Sequence, residues 1–423
     1  MSDTLIYGKD SQLVAYRRTD QQSPTGRSVG LIGTYPPTAC GLATFTANLA
    51  DAIAEPRLRW RAGVVRVVDT PQPDRAPEVV AEWRTGDRSS LERATGVLDR
   101  FDVVLLQHEF GLFGGPDGEE VLDLVARLTS PLVTVVHTAL SAPSANQRRI
   151  VDELIAASAQ VVVLSEAARD RLAVAHRLPT SRIAVIPHGA APNISGPSDR
   201  PFPGPTFITW GLLGPGKGIE HGIAAVADLA DRDPPPTYLV AGRTHPKVRQ
   251  REGERYRHYL MERAQALGVA DRVVFDDAYR DWAALRALIR GVDAVLLPYD
   301  SREQVTSGVL VEAVASGKPI VSTRFPHALE ILGSGAGIVV AQGDVAAMSA
   351  GLGAILYEPE VAAELSASAR RAAAPLLWPA VGVSFRTLLA SVLDAAGSAE
   401  APRGTDWTER AIVASAAPRR GPG

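Results

Sequence analysis

The chain predicts an α/β protein built from two doubly wound parallel sheets that face each other across a cleft. Three observations predict it. The 423 residues exceed what one hydrophobic core normally serves. Short apolar runs alternate with helix-compatible stretches, the pattern of repeated βαβ units. A segment rich in proline and glycine, 191–205, splits those runs into two series.

The first series of expected strands is 29–33, 103–107, 132–137, 161–165 and 183–187. The second is 206–210, 237–241, 273–276, 294–298 and 319–323. Near-continuous apolar runs of this length suit strands buried on both faces of a parallel sheet. The expected domains are therefore 27–195 and 205–376, followed by a helix at 377–397 that can pack back on the first domain. Residues 1–26 and 398–423 mix charged, polar, Pro and Gly residues and read as tails. Ligands of open parallel sheets bind beyond the carboxyl ends of the strands, so the residues just after each strand carry the search for a site.

Composition narrows the function classes. With 46% hydrophobic and 22% charged residues there is material for two cores, and a net charge of -3 gives no nucleic-acid footprint. The single cysteine, Cys40, excludes an intramolecular disulfide framework and a cysteine-rich zinc site, and fits a reducing cytoplasm. The N-terminal residues lack the apolar core of a signal peptide. No run of about 18 apolar residues is evident, so no membrane-spanning helix is expected, while peripheral membrane contact stays open. No metal site is expected.

The segment GLLGPGKG at 211–218 follows the first strand of the second series and precedes a helical stretch. Glycines let a backbone approach a ligand closely and a helix N-terminus favours anions, so Gly211, Gly216 and Lys217 fit a phosphate loop. A tight turn with a surface lysine fits the same residues, and the spacing is neither a Walker loop nor GxGxxG. The segment DSREQVTSGVLVE at 300–312 follows another strand. Thr306 or Ser307 suits a helix N-cap there, aiming amides from Gly308 onward at the cleft. Glu312 on that helix can accept from both hydroxyls of a ribose, or be a solvated helical glutamate.

Lys217 in its loop, the segment VLVEAVASGKPIV ending at Val321, and Glu330 together resemble the family 4 retaining glycosyltransferases, most strongly over 207–344. The resemblance implies the GT-B fold, with two Rossmann-like domains, and a nucleotide-sugar donor held mainly by the second. It implies no required cofactor, and a carbohydrate, lipid-linked or small-molecule acceptor. Under it, Lys217 binds the donor diphosphate, Glu312 the nucleotide ribose, and amides of Thr306, Ser307 and Gly308 the donor phosphates and sugar. His327 stands where the family has glycines close to the donor sugar.

The chain departs from the family at two positions. Leu212 replaces an arginine that shares the diphosphate, and Arg243 after the next strand is the candidate substitute. The family's first glutamate, spaced seven residues before the second, falls on Gln304. Either Gln304 takes over its contacts with the donor sugar, or a local bulge presents Glu303.

In the first domain, Gly41 follows the opening strand and resembles the family's glycine-bearing loop facing donor phosphate and acceptor, while Cys40 is expected only to pack. His137 ends a strand; alone such a histidine is more often structural, but the family commonly has one there, near the donor sugar. The loop QHEFGLFGGPDG at 107–118 is expected to line the acceptor side. His108 and Glu109 can hydrogen-bond sugar hydroxyls or orient a nucleophile, and Phe110 and Phe113 can stack on a sugar or anchor the loop. His188 follows another strand with both structural and ligand-facing explanations open. The expected catalytic set is His137, Lys217 and Gln304, and the resemblance implies that the departing phosphate helps to deprotonate the acceptor. Other readings on the same fold are a nucleotide-sugar epimerase, a phosphorylase, or a catalytically weakened sugar-binding protein.

Overall fold

A computed structural model describes residues 26–398, apart from positions 39, 73–75, 197, 279 and 302–303. The expected tails at 1–25 and 399–423, and Glu303, lie outside the described residues.

In the N-terminal half, strands β1 (Arg27–Gly33), β2 (Trp60–Val68), β3 (Val79–Arg84), β4 (Val103–His108), β5 (Leu132–Val136), β6 (Gln160–Val163) and β7 (Ile183–Val185) form one sheet in the order β3-β2-β1-β4-β5-β6-β7. In the C-terminal half, β8 (Thr206–Trp210), β9 (Thr237–Ala241), β10 (Val273–Asp276), β11 (Ala294–Leu297), β12 (Ile320–Thr323) and β13 (Ile338–Val340) form another, ordered β10-β9-β8-β11-β12-β13. Pairing is parallel throughout both sheets. Strand order reverses direction between β1 and β4 and between β8 and β11. Successive helices leave to opposite faces there, which opens a crevice at the carboxyl ends of those four strands.

Strands β2, β3 and β13 are absent from the sequence expectation. Arg61 and Arg66 interrupt the apolar run of β2, and Arg66 is fully buried. Its charge is met inside the sheet: Nε donates to Glu82 Oε1 of β3 at 3.0 Å, and Nη1 donates to the Pro36 carbonyl at 3.0 Å. The buried pair thus also ties down the loop that follows β1.

The helix Trp378–Ser398 belongs by packing to the half it follows least in sequence. Trp378, Val381, Phe385, Leu389 and Val392 are buried among Leu31, Phe45, Leu49 and Val133 of the N-terminal half. Burial of side chains such as Phe385 and Leu389 stabilises by roughly 1.5–3 kcal/mol each. By length and composition this helix alone among the described residues could cross a membrane, although Arg386 and Asp394 interrupt it, so the expectation of no unbroken apolar run of that length holds. Its contact with the core accounts for that apolar face. The return is anchored by a parallel bridge between Ala190 and Leu377, and by Gly189, where a β-carbon would lie 2.2 Å from the Trp378 ring.

Candidate active site

The crevice is built from two helix starts. The helix Gly41–Ile53 follows β1, and its cap is Cys40: Sγ accepts from Ala43 N at 3.3 Å and lies 3.3 Å from Thr34 Oγ1. Cys40, expected only to pack, is therefore a capping residue. The helix Gly308–Ala315 follows β11, and Ser307 caps it by accepting from Leu310 N at 3.2 Å. The first amides of a helix have no partner within it and carry the positive end of its dipole. Residues at both starts line one cavity of about 250 Å³. Gly41, Phe45, Glu109, His137 and His188 wall it from the N-terminal half, and Thr306 and Gly308 from the C-terminal half.

The N-terminal wall holds neutral imidazoles. Burial pushes His137 down to about 3 and His188 down to about 4. His137 Nε2 lies 2.8 Å from Gln107 Oε1, so with the amide in that orientation Nε2 carries the proton. His188 Nδ1 donates to the Gly189 carbonyl at 2.8 Å. Phe45 meets both rings edge-on, at 4.8 and 4.9 Å between centroids. Glu109 accepts from Thr138 Oγ1 at 2.6 Å and from Phe110 N at 3.1 Å, so its carboxylate is held at the cavity edge.

Across the cavity, a β-carbon on Gly308 would lie 2.9 Å from His188 Nε2, so only glycine admits this approach of the two halves. Thr306 Oγ1 is buried without a hydrogen-bond partner among the described residues. The wall continues away from the cavity. Gly211 faces Val309, and the Trp210 indole N–H donates to Glu312 Oε2 at 3.2 Å. Burial raises the Glu312 carboxyl to about 7, against the opposing effects of Trp210 and of the nearby Arg286 guanidinium.

The loop after β8 is a left-handed glycine turn. Gly211, Gly216 and Gly218 have φ of 114°, 87° and 63°, and a β-carbon on Gly218 would lie 1.8 Å from the Pro298 carbonyl oxygen. Lys217, between the last two, is half-buried and makes no ion pair among the described residues. Its Nζ sits 4.2 Å from the centroid of the buried Tyr299 ring, and burial lowers its pKa. A partly desolvated ammonium over a ring face lacks only an anion.

Several expected residues lie elsewhere. His108 is 1% exposed beneath the cleft, with neither ring nitrogen bonded to a partner among the described residues. Burial pushes it down to about 4, and Phe110 packs edge-on to it at 5.0 Å and against the adjacent core. Neither lines the cavity: His108 is the last, buried residue of β4, and Phe110 packs on the core beside it. Phe113 is core, 5.4 Å from Trp83. His327 is also buried, and its Nδ1 accepts from Ser307 N at 2.9 Å. It holds the helix cap, and it removes the Ser307 amide from those free to meet a phosphate. Gln304 Nε2 donates to the Thr306 carbonyl at 2.7 Å, so its amide is folded into its own turn. Arg243 is exposed, donates through Nε to the Asp277 carbonyl at 3.1 Å, and is not among the residues that line the cavity.

Sequence reasoning left His188 open and missed Thr138, Tyr299, Trp282 and Arg286. Trp282 Nε1 lies 3.4 Å from Thr44 Oγ1 of the opposite half, and Arg286 one turn later lies 6.0 Å from the Trp282 ring centroid. Both occupy ordinary polar-face positions of an amphipathic helix, Trp282–Gly291, which gives no sequence signal.

With this geometry in hand, residues 193–372 match the family described as glycosyl transferases group 1, and residues 41–193 match glycosyltransferase family 4. The two matches adjoin at the crossover and together span most of the chain. The chain belongs to the family 4 glycosyltransferases.

This glycosyltransferase is 26% identical over 290 residues to the D-inositol 3-phosphate glycosyltransferase of Corynebacterium glutamicum, covering 61% of this chain and 66% of that one. It is 29% identical over 174 residues to glycogen synthase of Mycobacterium tuberculosis, covering 41% and 39%. It thus spans about two thirds of the first relative and well under half of the second. In structure it is similar to a sucrose-phosphate synthase from Thermosynechococcus elongatus, with TM-score 0.67 and 17% identity over 87% of this chain and 100% of that one. Anabaena HepE in complex with UDP-glucose matches with TM-score 0.67 and 16% identity over 86% and 99%. At these identities the likeness establishes the GT-B fold.

Proposed function

We propose that the protein transfers a sugar from a nucleotide-sugar, held by the C-terminal half, to an acceptor hydroxyl on the N-terminal half, with retention of anomeric configuration. The observation that carries this reading is the half-buried Lys217, which has no ion pair among the described residues and stands in the glycine loop after β8, in a chain whose two helix starts wall one cavity. A diphosphate satisfies Lys217 and the amides from Gly308 onward; a ribose donating two hydroxyls to Glu312 favours its ionised form.

Leaving-group charge is then met by a cation, helix dipoles and the Thr306 hydroxyl in a site screened from water. No protein group needs to act as a strong base when the departing phosphate takes the acceptor proton. Neutral His137 and His188 suit sugar hydroxyls, which they can meet as donor or acceptor. Arg286, which acts electrostatically on Glu312, supplies the positive charge that Leu212 does not, in a place Arg243 does not occupy. Gln304 contributes once its amide swings out of its turn. The lone cysteine serves as a helix cap.

The experiment pairs UDP-, GDP- and ADP-sugars with candidate acceptors and follows products by mass spectrometry. HepE carries UDP-glucose in its structure and the corynebacterial relative is named for D-inositol 3-phosphate, so these are the first donor and acceptor to try. Acceptor-dependent release of nucleoside diphosphate with a glycosylated product is expected. Donor consumption without an acceptor would point to an epimerase, and no product across the panel would defeat the transferase reading.

A further inference from the structure

The helix Glu166–His176 belongs to the N-terminal half, yet the bonds of its first turn run to the other half. Its cap, Ser165, is 1% exposed; the hydroxyl accepts from Ala168 N at 3.0 Å and donates to the Val305 carbonyl at 2.6 Å. The next two amides, of Glu166 and Ala167, donate to the Glu330 carboxylate at 3.0 and 3.2 Å. The Val305 side chain, 4% exposed, is itself packed in the N-terminal core with Val136, Val163 and Ala168. One residue of the C-terminal half is thereby held by both its carbonyl and its side chain in the opposite half. The residue after it is Thr306 of the cavity wall, followed by Ser307, whose amide is fixed by His327 on the helix Pro326–Leu332 that carries Glu330.

We infer that Ser165, Val305 and Glu330 form a clasp between the halves, and that Ser165 and Glu330 are positioning residues for transfer. They touch no part of the cavity. They act through Val305, setting Thr306 and Gly308 against His188 so that donor and acceptor walls meet only while the clasp is shut. Opening withdraws Val305 from an apolar site and strands its carbonyl together with two helix amides, so the contacts break as a set. Glu330 is exposed, which leaves the outer bonds in competition with water and the clasp able to reopen. The word donor rests on the proposed transferase reading; the clasp itself is a property of the ligand-free chain.

The test is amide hydrogen exchange on the full chain without ligand, comparing wild type with Glu330→Ala, Ser165→Ala and Ser165→Thr. The alanine variants are expected to exchange about tenfold faster both at 165–169 and at 304–309, with β4 and β11 unchanged. Ser165→Thr keeps a hydroxyl and is expected to restore protection, and Glu330→Ala, at an exposed position, reports even where buried Ser165 variants fold poorly. Acceleration confined to 165–169 would reduce the contacts to a helix cap and overturn the clasp. UDP titrated by calorimetry separates the two readings: clasp variants are expected to match the wild-type affinity within about twofold, and a tenfold loss would place these residues in the binding site instead. Failure of the wild type to bind UDP would count against the donor reading, while the exchange result still decides the clasp.

Discussion

The two halves are doubly wound on the same plan, yet they wall the cleft with different chemistry. The C-terminal half keeps charge in reserve: a half-buried ammonium at Lys217 with no ion pair among the described residues, and a carboxyl at Glu312 that burial raises to about 7. The N-terminal wall is electrically quiet, with imidazoles held neutral at His137 and His188 and a carboxylate at Glu109 already bonded to Thr138. A desolvated charge is a cost that a ligand of opposite charge relieves, so the first wall is fitted to one kind of partner. Neutral groups satisfied by packing discriminate through shape and hydrogen-bond direction. The proposed assignment of donor and acceptor to the two sides rests on that difference.

The strongest way to break this contrast is Lys217→Ala. Loss of one charge-assisted contact of about 1.5–3 kcal/mol should weaken nucleotide-sugar binding by roughly 10- to 100-fold in calorimetry. The melting temperature should not move, because Lys217 pairs with no protein carboxylate among the described residues. An equal loss of stability would make it a structural residue.

Acid tests the quiet wall. His108, His137, His188 and His327 have folded values of about 4, 3, 4 and 3, below the ordinary 6.5. Below about 6.5 the unfolded chain takes up protons that the folded chain refuses, so their contribution to stability is lost as pH falls toward 4. Glu312 opposes them: its folded value of about 7 lies above 4.5, so its contribution is present below 4.5 and lost as pH rises to 7. With four groups against one, calorimetric scans should show a melting temperature lower by about 5 °C at pH 5 than at pH 7. A flat profile would mean that the histidines are solvated.

Glu312 supplies a smaller effect on binding. Ribose hydroxyls favour its carboxylate, so donor affinity should rise about fivefold between pH 6 and pH 8, and Glu312→Gln should flatten that rise. The smallest effect is a gain. Leu212→Arg at an exposed position, 37% accessible, should tighten nucleotide binding about threefold by adding a solvent-screened cation.

The same contrast explains how much could be read from the chain. The loop of Lys217 and the helix of Glu312 were legible because each is a contiguous segment whose glycines and cap residues announce a loop and a helix start. Strands without charges, the three-residue β13 apart, were legible for the same local reason, whereas β2 was hidden by Arg66, whose partner Glu82 lies on a different strand. His188 and Ser165 work through neighbours 120 and 140 positions away, His188 with Gly308 and Ser165 with Val305. No local pattern encodes such a meeting. His327 and His108 misled because a polar residue after a strand suggests a ligand, while here the chain turns each side chain inward.

The helix Trp378–Ser398 has a consequence for anyone who recombines such proteins. Its apolar face completes the core of the half that was made first, so the chain is not two beads on a string but a buckle whose tongue is its last described element. A chimera that exchanges one half for that of a relative requires two junctions, one near residue 195 and one near residue 377. A single junction leaves Phe45 and Leu49 facing a foreign helix.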